Sequence, residues 1–221
     1  MSLPPEIKKV LPRDTAASWE KLAPVLPPEL YLAGGTALAV HLKHRVSRDL
    51  DFFFHSGAVD LPELESTLTA IGPFAVTSRA PGTLNGLFSQ TKVQFLHCDE
   101  AAEQTLLQPP SEVAGLQIAG IPDIFAMKLK VIADRGELRD YFDLMVIEQQ
   151  TGLGVEEGLG FFLTRFRRPP ENQVLMPVLS ALGYFDDVDE DASLPLGKPE
   201  IAAYWRRRQP EIARHMQRFG V

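Results

Sequence analysis

Hydrophobic and polar positions change period several times along the chain, and each change marks a predicted element. Ala16 to Leu26 carries a helical pattern closed by Pro27 and Pro28. The short apolar run Leu30 to Ala33 stops at Gly34-Gly35, as a strand does on entering a tight turn. Thr36 to His44 then predicts a helix, with Ala37, Leu38, His41 and Leu42 at helical spacing. Leu50 to Phe54 predicts a strand and Leu61 to Ile71 a helix beginning near Pro62. Phe74 to Arg79, Thr83 to Ser89 and Lys92 to His97 follow as strands joined by Gly/Pro turns.

The pattern shifts after Gln108-Pro109-Pro110. Pro122 suits the first turn of a helix running to about Ala133, a second helix spans Glu137 to Glu148, and most of the remainder has helical period. The expected fold class is α+β. Residues 1–108 form a mixed sheet with flanking helices, residues 109–221 form a mainly helical region packed on it, and Pro109 to Pro122 marks the seam. No repeat at solenoid period and no low-complexity tract is present.

Within that frame one strand is chemically odd. Alternation puts Asp49 and Asp51 on one face and Leu50 and Phe52 on the other. Two adjacent carboxylates repel, and each raises the pKa of its neighbour unless a cation compensates. A hard divalent ion on oxygen ligands is the usual compensation, and it is what Mg²⁺-dependent phosphoryl transfer requires. An isolated D-x-D is more often a capped turn beside a solvated side chain. Here a strand-Gly-Gly-Thr-helix turn precedes it, where bare backbone N–H groups at Gly34 and Gly35 can cradle phosphate and Thr36 adds a hydroxyl at the helix start.

Composition narrows the class. The chain has 221 residues, 45% of them hydrophobic, and no run long enough to span a membrane. No N-terminal leader pattern is visible, and the single cysteine, Cys98, fits a reducing compartment, so a cytoplasmic protein without membrane contact is expected. The net charge of −7 argues against strong non-specific adhesion to nucleic acid. Charge is uneven, with acids at Asp186 to Asp191 and basic knots at Arg165, Arg167, Arg168 and at Arg206, Arg207, Arg208. His41 and His44 lie three apart on a predicted helix, but no further metal ligand accompanies them. Ser47 and Ser89 lack a nucleophile-elbow context, and no Walker A loop, zinc-finger spacing or RNA-recognition motif occurs.

GGTALAVHLKHRVSRDLDFF resembles the signature of the nucleotidyltransferase AbiEii/AbiGii toxin family, a branch of the DNA-polymerase-β-like nucleotidyltransferase superfamily. The glycine turn Gly34, Gly35, Thr36 is followed by the D-x-D pair Asp49 and Asp51, and Arg45 and Ser47 match the family's basic and hydroxyl residues. A second block, PDIFAMKLKVIADRGELRDYFDL, is similar to the family pattern at Lys128, Arg135, Gly136, Arg139, Asp140 and Asp143. A third, ALGYFDDVDED, resembles a C-terminal tract of one subgroup.

The resemblance implies a polymerase-β-like mixed sheet and transfer of NMP from an NTP to a hydroxyl acceptor. It further implies a cofactor Mg²⁺ or Mn²⁺ on Asp49 and Asp51, and nucleotide contacts from Gly34, Gly35, Thr36, Arg45, Ser47 and Lys128. Asp49, Asp51 and Lys128 become the catalytic candidates, with Arg135, Asp140 and Asp143 in support. Implied partners are an antitoxin protein and an RNA, protein or small-molecule acceptor.

Read physically, Lys128 and Arg135 are two helical turns apart and share a face, as do Asp140 and Asp143, so a salt-bridge clasp between two helices is the alternative to nucleotide contact. The superfamily's third carboxylate falls on the strand Lys92 to His97, where Gln94 stands; Asp99 substitutes only in another register. A second functional class follows from Gln94: a non-catalytic nucleotide-binding or interaction module.

Overall fold

The structure, a computed structural model, describes residues 2–55, 57–98, 105–169 and 171–218. Its contacts divide the chain into two units, Met1–Gln104 with Gln108–Gly120, and Thr105–Leu107 with Ile121–Val221. In the first unit, helices α1 (Pro5–Lys8), α2 (Arg13–Leu22), α3 (Gly34–Leu42) and α4 (Leu61–Ile71) accompany strands β1 (Tyr31–Ala33), β2 (Leu50–Phe54), β3 (Phe74–Ala80), β4 (Thr83–Phe88), β5 (Thr91–His97), β6 (Ser111–Val113) and β7 (Leu116–Ile118). The strands make one mixed sheet in the order β3-β4-β5-β2-β1-β7-β6. β2 runs parallel to β5 and β1 parallel to β7, while the other pairs are antiparallel.

From residue 49 to residue 54 burial alternates with the sequence: Leu50, Phe52 and Phe54 are buried, Asp49, Asp51 and Phe53 only partly. The registers Leu50↔Val93, Phe52↔Phe95 and Leu84↔Phe95 carry the buried face across β5 and β4. Phe52 and Phe95 stack with ring centroids 5.3 Å apart. The hydroxyl of Ser18 in α2 ties that helix to the sheet through Thr91 Oγ1 at 2.8 Å. Each of these buried aromatic or aliphatic side chains contributes roughly 1.5–3 kcal/mol. A one-residue slip of β2 would turn the whole set outward, so packing fixes the register that aims Asp51.

Residues 109–120 differ from the expected helical character. They form the hairpin β6-β7, which joins the sheet beside β1. Its two-residue turn uses Ala114 at φ 49° and Gly115 at φ 82°, the paired positive φ of a tight hairpin. Three-residue strands leave too little alternation to read, and Ala-Gly is a weaker turn signal than Asn-Gly.

The second unit holds α5 (Ile121–Asp134), α6 (Leu138–Thr151), α7 (Val155–Arg165), α8 (Asn172–Gly183) and α9 (Lys198–Arg218). Phe125, Leu129, Leu144, Ile147, Leu159, Leu182 and Trp205 fill its core. Trp205 Nε1 donates to the Tyr141 carbonyl at 3.0 Å. Asp123 and Arg165, both wholly buried, form an ion pair. Asp123 also accepts from the Leu107 backbone N–H at 3.0 Å, and this anchors the segment 105–107.

Tyr141 packs on Phe185 with ring centroids 4.5 Å apart. Its phenol pKa is pushed up from 10.0 to about 12 by burial, then by the carboxylates of Asp187 and Asp140. The folded state therefore keeps this proton longer than the unfolded chain. The resulting stability is whole below pH 10 and is lost as pH rises from 10 through 12. Ultraviolet titration of the native protein should resolve a tyrosinate phase near pH 12, and the unfolding midpoint should fall across the same window. Complete tyrosinate formation near pH 10 in the folded protein would contradict this assignment.

Candidate active site

The apolar run of β1 ends where glycine becomes necessary. Gly34 takes φ +69°, which costs an L-residue roughly 1–2 kcal/mol. A Cβ there would stand 2.9 Å from Asp51 Oδ2. The Asp51 carboxylate thus lies against the backbone of the turn, and the pairing Ala33↔Asp51 between β1 and β2 holds it there. α3 begins at this turn, and its N-cap residue Ala33 has no side chain that could cap the first N–H groups. Such an end favours an anion.

The segment between α3 and β2 folds back over the same turn. A Cβ on Gly35 would meet Arg45 Nη2 at 2.5 Å and Ser47 Oγ at 3.3 Å. Thr36 is buried, and its hydroxyl bonds Ser47 Oγ at 2.8 Å and the Asp49 carbonyl. The Ser47 backbone N–H donates to the Val10 carbonyl at 2.9 Å. Thr36 and Ser47 therefore fasten the segment that carries Asp49, while Arg45 lays its guanidinium over Gly35. The structure brings Gly34, Gly35, Thr36, Arg45, Ser47, Asp49 and Asp51 together at the ends of β1 and β2.

One neighbour of Asp51 is Gln94, its register partner on β5. Gln94 Nε2 donates to Asn85 Oδ1 at 3.1 Å, and Asn85 Nδ2 donates to Ser78 Oγ at 2.9 Å. Asp99 lies outside the described residues. Among the described residues no group of three or more His, Cys, Asp and Glu side chains could hold a metal ion. His41 spends its ring Nε2 on the Ala119 carbonyl at 2.8 Å, a structural use.

The remaining candidates belong to the second unit. Lys128 Nζ on α5 lies 2.7 Å from Asp140 Oδ1 and 2.7 Å from Asp143 Oδ2, both on α6. All three side chains are buried. Asp140 also accepts from the Glu137 backbone N–H at 3.3 Å, closing the start of α6. Arg135 lies past the end of α5, mostly exposed, and pairs with Glu137 at 2.9 Å. Its side chain is exposed, whereas that of Lys128 is buried. Gly136 follows it, where a Cβ would stand 2.4 Å from the Tyr141 hydroxyl.

Gly34→Ala is expected to disturb the site more than the fold. Strain at positive φ and displacement of the Asp51 carboxylate should together lower nucleotide affinity roughly tenfold, with a stability loss of about 1–2 kcal/mol. Calorimetric titration alongside thermal melts checks this; unchanged affinity would separate the turn from the binding site.

A sheet and turn of this kind define a class. MenT4, a nucleotidyltransferase toxin from Mycobacterium tuberculosis H37Rv, has a similar fold, with TM-score 0.58, 19% identity, and coverage of 91% of this chain and 84% of that one. JHP933 from Helicobacter pylori is similar at TM-score 0.53 and 20% identity, over 99% of this chain and 97% of the other. The family model for the nucleotidyl transferase AbiEii toxin, type IV toxin–antitoxin system, matches residues 21–86 and 88–218, and the chain belongs to that family. An uncharacterised Aquifex aeolicus (strain VF5) protein, aq_aa25, is 27% identical over 194 residues, 86% of this chain and 88% of its own. No helix among the described residues is long and apolar enough to cross a membrane.

Proposed function

We infer that this chain is a Mg²⁺-dependent nucleotidyltransferase that moves NMP from an NTP to a hydroxyl acceptor, as the toxin of a toxin–antitoxin pair. The observation that carries this reading is the Asp51 carboxylate set against the Gly34 turn, with Arg45 over Gly35. In the reaction the acceptor oxygen bonds to the α-phosphorus, the P–O bond to the β-phosphate breaks, and pyrophosphate leaves. The hydroxyl proton passes to solvent or to a base on the acceptor.

The α3 backbone N–H groups and the Arg45 guanidinium supply donors for phosphate oxygens. Thr36 and Ser47 hold the Asp49 segment in place. Asp49 and Asp51 are hard oxygen donors that fit Mg²⁺ or Mn²⁺ and would hold it together with substrate oxygens and water. The ion, when bound, supplies charge neutralisation at the phosphates. Lys128 enters as a cation for phosphate oxygens on the family resemblance, while its two 2.7 Å contacts favour a clasp between α5 and α6. The acceptor is an RNA, a protein or a small molecule, and an antitoxin protein is the expected partner.

Gln94 beside Asp51 favours a second reading, a nucleotide-binding or interaction module without turnover. Incubating the protein with each α-phosphate-labelled NTP, Mg²⁺ and cell lysate distinguishes the two. Label fixed on an acceptor, with release of pyrophosphate, supports transfer. Magnesium-linked NTP binding without label transfer supports the module.

A further inference from the structure

The open face of the sheet carries a row of polar side chains that runs away from Asp51 across three strands. The registers Asp51↔Gln94, Asn85↔Gln94 and Ser78↔Asn85 set the four residues side by side on β2, β5, β4 and β3. Along this row every bond has a direction. Asn85 Nδ2 donates to Ser78 Oγ at 2.9 Å, so Asn85 turns its Oδ1 the other way, where it accepts from Gln94 Nε2 at 3.1 Å. In this arrangement the nitrogen end of the Gln94 amide faces β4. Its oxygen, the other arm of the same planar group, accepts no hydrogen bond among the described residues, and the strand on its far side is the one bearing Asp51.

We propose that Asn85 is a positioning residue for nucleotidyl transfer: it turns Gln94 so that the amide oxygen serves as a neutral ligand or acceptor beside Asp51, in place of a third carboxylate. This rests on the nucleotidyltransferase reading above. An amide oxygen is an ordinary ligand for a hard cation, whereas an amide NH₂ turned the same way would repel one. The two orientations differ little in shape, so a side chain free to flip would spend part of its time in the wrong one. The bond from Gln94 Nε2 to Asn85 Oδ1 favours one of the two, at the scale of a net hydrogen bond. The neutral ligand also leaves the pair Asp49 and Asp51 with less mutual repulsion than a third anion would impose.

The test is calorimetry with a non-hydrolysable NTP analogue, in Mg²⁺ and in EDTA, on the full-length protein. Asn85→Leu is expected to weaken the Mg²⁺-linked binding roughly 3- to 10-fold while leaving binding in EDTA unchanged. Gln94→Leu should weaken it at least as much, and the double variant Asn85→Leu/Gln94→Leu should match Gln94→Leu alone. Asn85→Asp, which keeps an acceptor for Gln94 Nε2, should retain the wild-type Mg²⁺ linkage. An Asn85→Leu variant that binds like wild type, that loses affinity equally in Mg²⁺ and EDTA, or whose loss adds in full to that of Gln94→Leu, overturns the assignment. Equal affinity of the wild-type protein in Mg²⁺ and EDTA would instead remove the metal-dependent reading on which it stands. Thermal melts confirm that each variant is folded; Asn85 lies on the open face of the sheet and is only half-buried.

Discussion

On the proposed transfer reaction, Asp51→Asn is expected to reduce nucleotidyl transfer by roughly 10³-fold, since there a metal-holding carboxylate would account for several kcal/mol of transition-state charge stabilisation. The substitution keeps the shape of a half-buried side chain on the open face, so the fold should survive. Its effect on binding should depend on the metal in opposite directions. In Mg²⁺ the NTP affinity should fall with the lost ligand. In EDTA it should hold or rise slightly, because an anion has been removed from beside a triphosphate. Both arms are read by calorimetry and by transfer of the α-phosphate label. A variant as active as wild type would place the chemistry elsewhere.

Lys128→Met is expected to lower stability by about 3–5 kcal/mol, because it strands the carboxylates of Asp140 and Asp143 in a buried site. For a chain of this size that is a fall of roughly 10 °C in Tm. Removing the partners as well, in the triple variant Lys128→Met/Asp140→Asn/Asp143→Asn, should recover most of the loss, since a neutral set of similar volume carries no unpaired charge. The NTP affinity of the folded triple variant then measures what Lys128 does beyond the clasp. A loss there supports a phosphate contact; wild-type affinity reduces Lys128 to a structural cation. Lys128→Met melting like wild type would mean that the ion triad carries no stability.

Much of the site could be read from the chain because its logic is local. Gly34-Gly35 after an apolar run, and two aspartates out of phase with Leu50, Phe52 and Phe54, are short-range signals, and burial has enforced them. The pairing of Lys128 with Asp140 and Asp143 was likewise open to helical spacing, which gives each a face. The pairing of exposed Arg135 with Glu137 was not legible from its spacing to Lys128, because it is made to a residue beyond the end of α5. Asn85 was not readable at all. Its role depends on the register of β4 against β5, a long-range pairing that no spacing within a strand announces. The same holds for Thr36, whose hydroxyl suggested a ligand contact yet is spent on Ser47 and the Asp49 carbonyl. The hairpin β6-β7 was hidden by its brevity.

That hairpin also bears on how the chain is made. β1 has β2 on one side and β7 on the other, and β7 is the last strand of the sheet to be synthesised. Until Leu116 to Ile118 arrive, the strand that ends in the glycine turn presents a bare edge of backbone donors and acceptors. Translation stopped near residue 108 would release such a chain, with its glycine turn hung from an open edge that invites pairing with other chains. The sheet that holds the glycine turn therefore closes late in synthesis. A truncated product should be lost to aggregation before it could act on any cellular target.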